Sequence, residues 1–513
     1  MNFKAVGKIL GLLLLLLTCG MVFPLGIAIY DFTQGATPQA ATPVQGILTG
    51  IIVGLVSSIA LMFFNRDART NVGKSEAILL VFLAWLLGSV LAAFPFFFWA
   101  QYALAYSGLE TPFTSMINCT FESVSGLTTT GASILTDIRA IPDSLLFWRA
   151  ILQWYGGLGI VVLFVAVLPM IAGGNKKLFS AEATGISKDG STPKIQETAR
   201  YLWLIYLGFT ISQVAIMLIT EPGLSLFSAI TFAFSTTATA GFSIYNESVG
   251  SLTPATQWVI ITFMLISGVN YGLYYQLFRG RWRDLVRDVE LKWYLIIIFV
   301  STATITLVIH GVNYNDMSGQ IVTGSWVQNL RDAALQVVSI NTTTGFSSAD
   351  SNQWPVICQM IMVCLMFIGG CGGSTGGGIK VIRIVSSFKL FFSQMEKVYR
   401  PQVIRPIKVG RQALQNHTKI AILLHILAII LLSFMGAGLL FIFEPQIDGA
   451  TAFTASIATV NNIGPGFSLV GATQNYSFFS DSSKLLLTFW MLIGRLEVFT
   501  VLVIFSPRFW KQA

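Results

Sequence analysis

VQNLRDAALQVVSINTTTGFSS, residues 327–348, is a short apolar stretch running directly into a threonine turn closed by a glycine. Its apolar part is too short to cross a bilayer, which takes about 20 helical residues. A segment of this length ending in a turn predicts a re-entrant helix, one that dips into the membrane and leaves by the same face. The motif occurs four times. FTSMINCTFESVSGLTTTGAS (113–133) ends at Thr128, Thr129, Thr130 and Gly131, and LFSAITFAFSTTATAGFS (226–243) ends at Thr239, Ala240 and Gly241. The opening stretch ends at Thr342, Thr343, Thr344 and Gly345, and DGATAFTASIATVNNIGPGFS (448–468) ends at Asn461, Asn462, Ile463 and Gly464. Any one of these could be an ordinary helix end, since glycine and asparagine commonly terminate helices. Four in register, each followed by a full apolar span, point to one ancestral unit copied around a single axis.

The composition agrees. Of 513 residues, 54% are hydrophobic and 11% charged, against roughly 25% charged in a soluble chain, and the mean hydropathy is +0.71. Apolar blocks of helical length exclude a membrane barrel, whose strands alternate over about ten residues. Ten spans are predicted, at 5–30, 46–64, 76–106, 144–172, 198–220, 255–279, 290–311, 354–382, 412–443 and 483–506. The fold class is therefore an all-α polytopic membrane protein: an N-terminal helix pair (1–70) and four span–pore-loop–span repeats at 71–195, 196–285, 286–410 and 411–513. Lys4 and Lys8 before the run from Ile9 to Ile29 resemble a signal sequence, but the run exceeds a usual signal core and reads as a retained span.

Charge sorts by side. Lys4, Lys8, Arg66, Arg69, Lys74, Lys176, Lys177, Lys188, Lys194, Arg200, Arg279, Arg281, Arg283, Arg287 and Lys292 share one face. The stretch from Lys380 to Lys419, including Arg405 and Arg411, and the C-terminal Arg508 and Lys511 join them. The opposite loops are acidic, with Glu110, Asp137, Glu221, Glu247, Asp316, Asp350 and Asp448 among them. The positive-inside bias predicts a cytoplasmic basic face and both termini in the cytoplasm. The net charge of +8 is thus accounted for by orientation, and nucleic acid is not expected as a partner. Cys19, Cys119, Cys358, Cys364 and Cys371 form no CxxC pair, and His310, His417 and His425 are scattered, so neither a disulfide framework nor a transition-metal site is expected.

The chemistry of such turns points to ions. Irregular backbone at membrane depth persists only where protein, water or ions satisfy it. Four turns around an axis present rings of carbonyl oxygens that can replace a cation's hydration shell. Each short helix also directs its negative end, about half a charge, toward that ring. None of the four turns carries a carboxylate, which favours a weakly hydrated monovalent cation.

Two features lie beyond the turns. Gly369, Gly370, Gly372, Gly373, Ser374, Thr375, Gly376, Gly377 and Gly378 break the eighth span, because glycine costs about 1 kcal/mol per helical residue relative to alanine. The segment lacks the GK[ST] of a phosphate loop and reads as a flexible gating loop, with close helix packing as the alternative. Arg495 stands mid-span, where an arginine costs about 2.5–3.5 kcal/mol by insertion scales and commonly faces a pathway. It is expected to form a charge barrier touching the loop, with Glu497 pointing elsewhere. Gly156, Gly157, Gly159, Gly268, Gly272 and Gly494 read as small-residue helix packing, and Arg149 as an interfacial anchor.

WYGGLGI around Gly156, NTTTGF at Gly345, GGSTGGGIK at 372–380 and ATVNNIGPG through Gly464 resemble the membrane subunits of the Trk/Ktr/HKT superfamily of potassium transporters. The resemblance covers essentially the whole chain. It implies a potassium filter with glycines at Gly131, Gly241, Gly345 and Gly464, a gate at 369–378, a barrier at Arg495 and a homodimer. It further implies a cytoplasmic TrkA-type ring of regulatory subunits binding ATP, ADP or NAD, while this chain itself carries no cofactor. Thr239 and Ala240 depart from the Thr-Thr pair of other turns and weaken one coordination ring. The alternative function is a symporter coupling the cation to protons or sodium. A membrane enzyme would need converging catalytic groups, and none is apparent in the spans.

Overall fold

The computed structural model describes residues 1–35, 37–68, 72–157, 159, 192–402, 407–409 and 412–511, which are overwhelmingly helical. The N-terminal pair consists of Phe3–Gly20, continuing after a bend at Met21 into Val22–Gly35, and Pro38–Phe64. Both pack on the first long helix of the next unit, Lys74–Ser107. Small residues allow the close approach: a methyl on Gly50 would lie 2.9 Å from the ring of Pro95.

From Lys74 onward the chain repeats one order of elements four times: long helix, short helix, turn, second helix. The long helices are Lys74–Ser107, Thr192–Thr220, Val289–Ile309 and Asn416–Phe443. The short ones are Met116–Leu127, Leu226–Thr237, Trp326–Asn341 and Gly449–Val460. These pore helices have 12, 12, 16 and 12 residues. At 1.5 Å per residue they reach about 18–24 Å, short of the roughly 30 Å hydrocarbon core. Ser225, Ser325 and Asp448 cap three of them by accepting the N–H of Ser228, Gln328 and Thr451, and Ser115 holds the same position in the first. A two-stranded hairpin, β1 (Asn313–Asn315) with β2 (Ile321–Thr323), precedes the third pore helix.

Among the described residues, six helices are long and apolar enough to span a membrane, or eight if two bent pairs each count once. The protein is a multi-pass membrane protein. Of the ten expected spans, two predicted as continuous are broken. The span expected at 255–279 is Pro254–Ser267 followed by Tyr271–Phe278 at 89°, and that at 483–506 is Asp481–Arg495 followed by Val498–Phe505 at 113°. In the first case the loop replaces lost helical bonds, with Cys371 N–H on Gly268 O at 2.9 Å and Tyr271 N–H on Gly373 O at 3.0 Å. In the second the chain reverses at Glu497, whose φ of +61° no helix tolerates. The eighth span stops at Phe367, as its glycines require, and a further helix, Val381–Tyr399, occupies sequence expected to be cytoplasmic loop. Residues 160–172 of the fourth expected span lie outside the described residues, as do Leu158, Arg69, Lys176, Lys177, Lys188, Arg405 and Arg411.

In the first and fourth units the second helix meets the C-terminal end of the short helix at a glycine. A methyl on Gly156 would collide with the carbonyl of Leu127, and one on Gly494 with that of Val460, each the last residue of its pore helix. Gly494→Ala should therefore destabilise the protein by about 1–3 kcal/mol through overpacking. A lowered thermal midpoint in detergent is expected, and an unchanged midpoint would show that the contact yields freely.

Candidate functional site

The four turns share one unusual backbone path. The residue after each pore helix is right-handed, with φ of −75°, −75°, −82° and −97° at Thr128, Ala238, Thr342 and Asn461. The next is left-handed, at +57°, +52°, +61° and +55° for Thr129, Thr239, Thr343 and Asn462. Each glycine is left-handed again, at +80°, +81°, +87° and +95° for Gly131, Gly241, Gly345 and Gly464. A β-branched residue at positive φ is a steric outlier costing about 1–2 kcal/mol, so its surroundings must hold it there.

Hydrogen bonds supply that hold. The N–H groups of Thr130, Ala240, Thr344 and Ile463 turn back onto the carbonyls of Ser125, Ser235, Ser339 and Ala458 at 2.8, 3.0, 2.7 and 2.8 Å. Those of Thr129, Thr239, Thr343 and Asn462 bond the carbonyls one residue later, of Gly126, Thr236, Ile340 and Thr459. With the donors consumed by the pore helices, the carbonyls project away from them. Among the described residues, the carbonyls of Thr130, Thr344 and Ile463 accept no hydrogen bond.

The turns close into a ring. A Cβ added to Gly131 would strike the carbonyl oxygen of Ala240; at Gly241 it would strike that of Thr344, and at Gly345 that of Ile463. At Gly464 it would lie 2.7 Å from the carbonyl of Thr130, which completes the circuit. Each glycine thus abuts the carbonyl preceding the glycine of the next unit. Threonine and asparagine side chains reinforce the ring. Thr128 and Thr130 share a hydroxyl bond of 2.8 Å, as do Thr342 and Thr344, and Asn462 Nδ2 donates to Thr130 Oγ1 at 2.9 Å. The second turn has alanine at both threonine positions, so its support comes from Gln153 Nε2, 2.8 Å from the Ala240 carbonyl. Its backbone path is nonetheless that of the other three.

The glycine-rich segment lies against the helix side of the ring. It is non-helical from 368 to 380, and its ends are joined by Gly369 N–H on Ile379 O at 2.9 Å and Ile379 N–H on Phe367 O at 3.1 Å. Glu290, on the third long helix, accepts the N–H groups of Gly372 and Ile382 at 2.8 and 3.0 Å. Lys380 Nζ folds back onto the carbonyls of Gly376 and Gly377. Gly377 N–H donates to Thr343 Oγ1 at 2.7 Å, Thr239 Oγ1 to Thr375 Oγ1 at 3.0 Å, and a methyl on Gly377 would meet the Asn461 carbonyl. Arg495 completes the set, donating to Thr375 O at 2.9 Å, Thr129 Oγ1 at 3.1 Å, Gly157 O at 3.0 Å and the Gly156 carbonyl. Loop and guanidinium together touch all four turns. Glu497 instead pairs with Arg383 at 2.6 Å, which also bonds His425 at 2.8 Å.

A closed ring of main-chain oxygens can take the place of a cation's water shell. The sequence profile of the TrkH family, described as cation transport protein, matches residues 45–512. The chain belongs to the TrkH family. It is 36% identical over 516 residues to the Trk system potassium uptake protein TrkH of Escherichia coli (strain K12), covering all of both chains. The corresponding protein of Halomonas elongata is 34% identical over 520 residues, again covering both in full. The crystal structure of the potassium transporter TrkH from Vibrio parahaemolyticus superposes with a TM-score of 0.84 at 31% identity, covering 99% of this chain and 100% of that one. TrkH-family membership makes this a transport protein and not an enzyme.

Three contributors escaped the sequence reading. Arg149, expected at an interface, is 1% exposed and pairs at 2.7 Å with the fully buried Glu122 of the first pore helix. Gln153 and Glu290 were not singled out. Glu122, a lone carboxylate in an apolar segment, was the available signal, whereas Glu290 stands beside Asp288 and Lys292 and gives none. Thr343→Val keeps the shape but orphans the Gly377 N–H, a loss of about 1–3 kcal/mol for a buried donor. The variant is expected to hold the loop less firmly and to raise resting cation flux in proteoliposomes. Flux equal to the parent would show that this bond does not seat the loop.

Proposed function

We propose that this chain takes up potassium across a bacterial inner membrane through the ring of four turns, acting as a selectivity filter. The observation that carries the reading is the circuit of glycines and carbonyls from Gly131 to Gly241, Gly345, Gly464 and back. Thr128–Gly131, Thr239–Gly241, Thr342–Gly345 and Asn461–Gly464 supply neutral oxygens that exchange for the ion's water, while the four pore-helix ends add negative potential without a fixed charge. Such a field suits a weakly hydrated monovalent ion. The relatives are named as potassium uptake proteins, which supports potassium as the cargo.

In this reading the loop at 369–378 and Arg495 form the gate. Arg495 lies between the loop and the turns, donating to Thr129 Oγ1, Thr375 O and the Gly156 and Gly157 carbonyls, and a positive charge at that place is an electrostatic barrier to an approaching cation. In this reading the repeats at 71–195, 196–285, 286–410 and 411–513 are the four units of the pore, and the charge bias of the basic loops supports cytoplasmic termini. A homodimer, and a cytoplasmic TrkA-type ring that binds ATP, ADP or NAD and moves the loop, complete the proposed assembly. Exposed Arg281, Arg283 and Arg287 on the basic face are available for that contact.

Purified protein in liposomes with an outward or inward potassium gradient tests the proposal. Potassium flux is expected to exceed sodium flux and to be indifferent to an imposed proton gradient; obligatory proton dependence would favour symport. Gly345→Ser places a Cβ against the Ile463 carbonyl at a φ that costs an L-residue about 1–2 kcal/mol. Its potassium preference should fall, and an unchanged ion ratio would remove Gly345 from the filter. Arg495→Ala should raise resting flux severalfold, and an unaltered rate would mean the guanidinium is no barrier.

A further inference from the structure

Glu122 and Arg149 form a buried ion pair behind the ring, with side-chain exposures of 0% and 1%. Glu122 sits on the first pore helix, and its carboxylate is fully engaged. One oxygen accepts from Arg149 Nε at 2.8 Å, Arg149 Nη2 at 2.7 Å and Ser133 Oγ at 2.9 Å; the other accepts from the Ile134 N–H at 3.0 Å. Ser133 and Ile134 are the residues by which the chain leaves Gly131. Arg149 reaches the other way. Its Nη1 donates to the Ser243 carbonyl at 3.4 Å, and its guanidinium lies 4.0 Å over the Phe242 ring, both just beyond Gly241. One helical turn along, Gln153 donates to the Ala240 carbonyl at 2.8 Å and accepts the Phe242 N–H at 3.3 Å.

The other units show what is particular here. In the third, Gln336 stands at the position of Glu122 relative to its glycine, and it bonds Ser347 Oγ and, at 3.1 Å, the Ala349 carbonyl, holding only its own turn. A neutral amide is therefore sufficient to brace one exit. Phe232 and Ala455 occupy the matching positions of the second and fourth units and have no polar side chain to offer. Among the described residues, the second turn, which also lacks the paired threonines, has no side-chain brace from its own pore helix. The first unit supplies it across the boundary.

The geometry points to Glu122 and Arg149 as positioning residues for ion selection: one charged clamp fixes the exits of the first and second turns together and so sets the spacing of their carbonyls. This rests on the ring being the filter. A buried pair of this kind contributes little net stability compared with apolar residues of similar volume. Its removal should therefore be visible in ion preference more than in folding.

Two double variants test this, Glu122→Leu/Arg149→Met and Glu122→Gln/Arg149→Gln, with Gly345→Ser measured in parallel. Thermal unfolding in detergent and the potassium-to-sodium flux ratio in proteoliposomes are read for each. At least one double variant is expected to fold with a midpoint close to the parent's while its potassium preference falls severalfold. A folded double variant with the parental ratio, beside a Gly345→Ser variant that loses preference, overturns the clamp and leaves the filter standing. Parental ratios in all three overturn the filter itself. If neither double variant folds, the pair is structural and the proposal fails.

Discussion

Everything in this structure follows from where the backbone donors of four short turns are spent. After each pore helix the N–H groups bend back onto helix carbonyls, as Thr130 does onto Ser125 and Ile463 onto Ala458. Among the described residues, the carbonyls of Thr130, Thr344 and Ile463 are then left without protein partners, and that of Ala240 has Gln153, at a depth where bare carbonyls are otherwise costly. The left-handed φ of Thr129, Thr239, Thr343 and Asn462 is the steric penalty of that arrangement. Glycine follows in every turn because a Cβ there would occupy the neighbouring unit's carbonyl. The ring therefore constrains sequence, and the sequence shows the constraint four times.

That repetition is why so much was legible in advance. The short apolar stretches, the glycine that ends each turn and the broken eighth span are local patterns, and each reads correctly without a partner in view. What could not be read is what depends on contacts across units. The breaks at 268–270 and beyond Arg495 occur in segments whose composition suits a continuous helix; at the first the loop's own N–H and C=O groups take over the bonds at Gly268 and Tyr271, and at the second the chain turns at Glu497. Arg149 looked like an interfacial anchor because its partner, Glu122, is 27 residues away and lies inside a pore helix.

The four units are alike in path and unlike in support. The first and third turns are tied by paired threonines, the fourth lends Asn462 to Thr130 of the first, and the second is held from behind by Gln153 and Arg149. The loop is equally asymmetric: it descends from the third unit yet is fastened to the second at Gly268 and to the fourth through Arg495. Four diverged units in this way keep one ring of oxygens while a single unit carries the glycine-rich loop. Glu290 and Lys380 secure the loop on its own side.

The central claim is that the carbonyls of Thr130, Ala240, Thr344 and Ile463 surround a dehydrated monovalent ion. An anomalous difference map from crystals soaked in rubidium or thallium tests it directly. The account predicts a peak on the axis of the ring, within coordination distance of all four oxygens and displaced by potassium. Density confined to the acidic surface loops, with nothing at the ring, would contradict it.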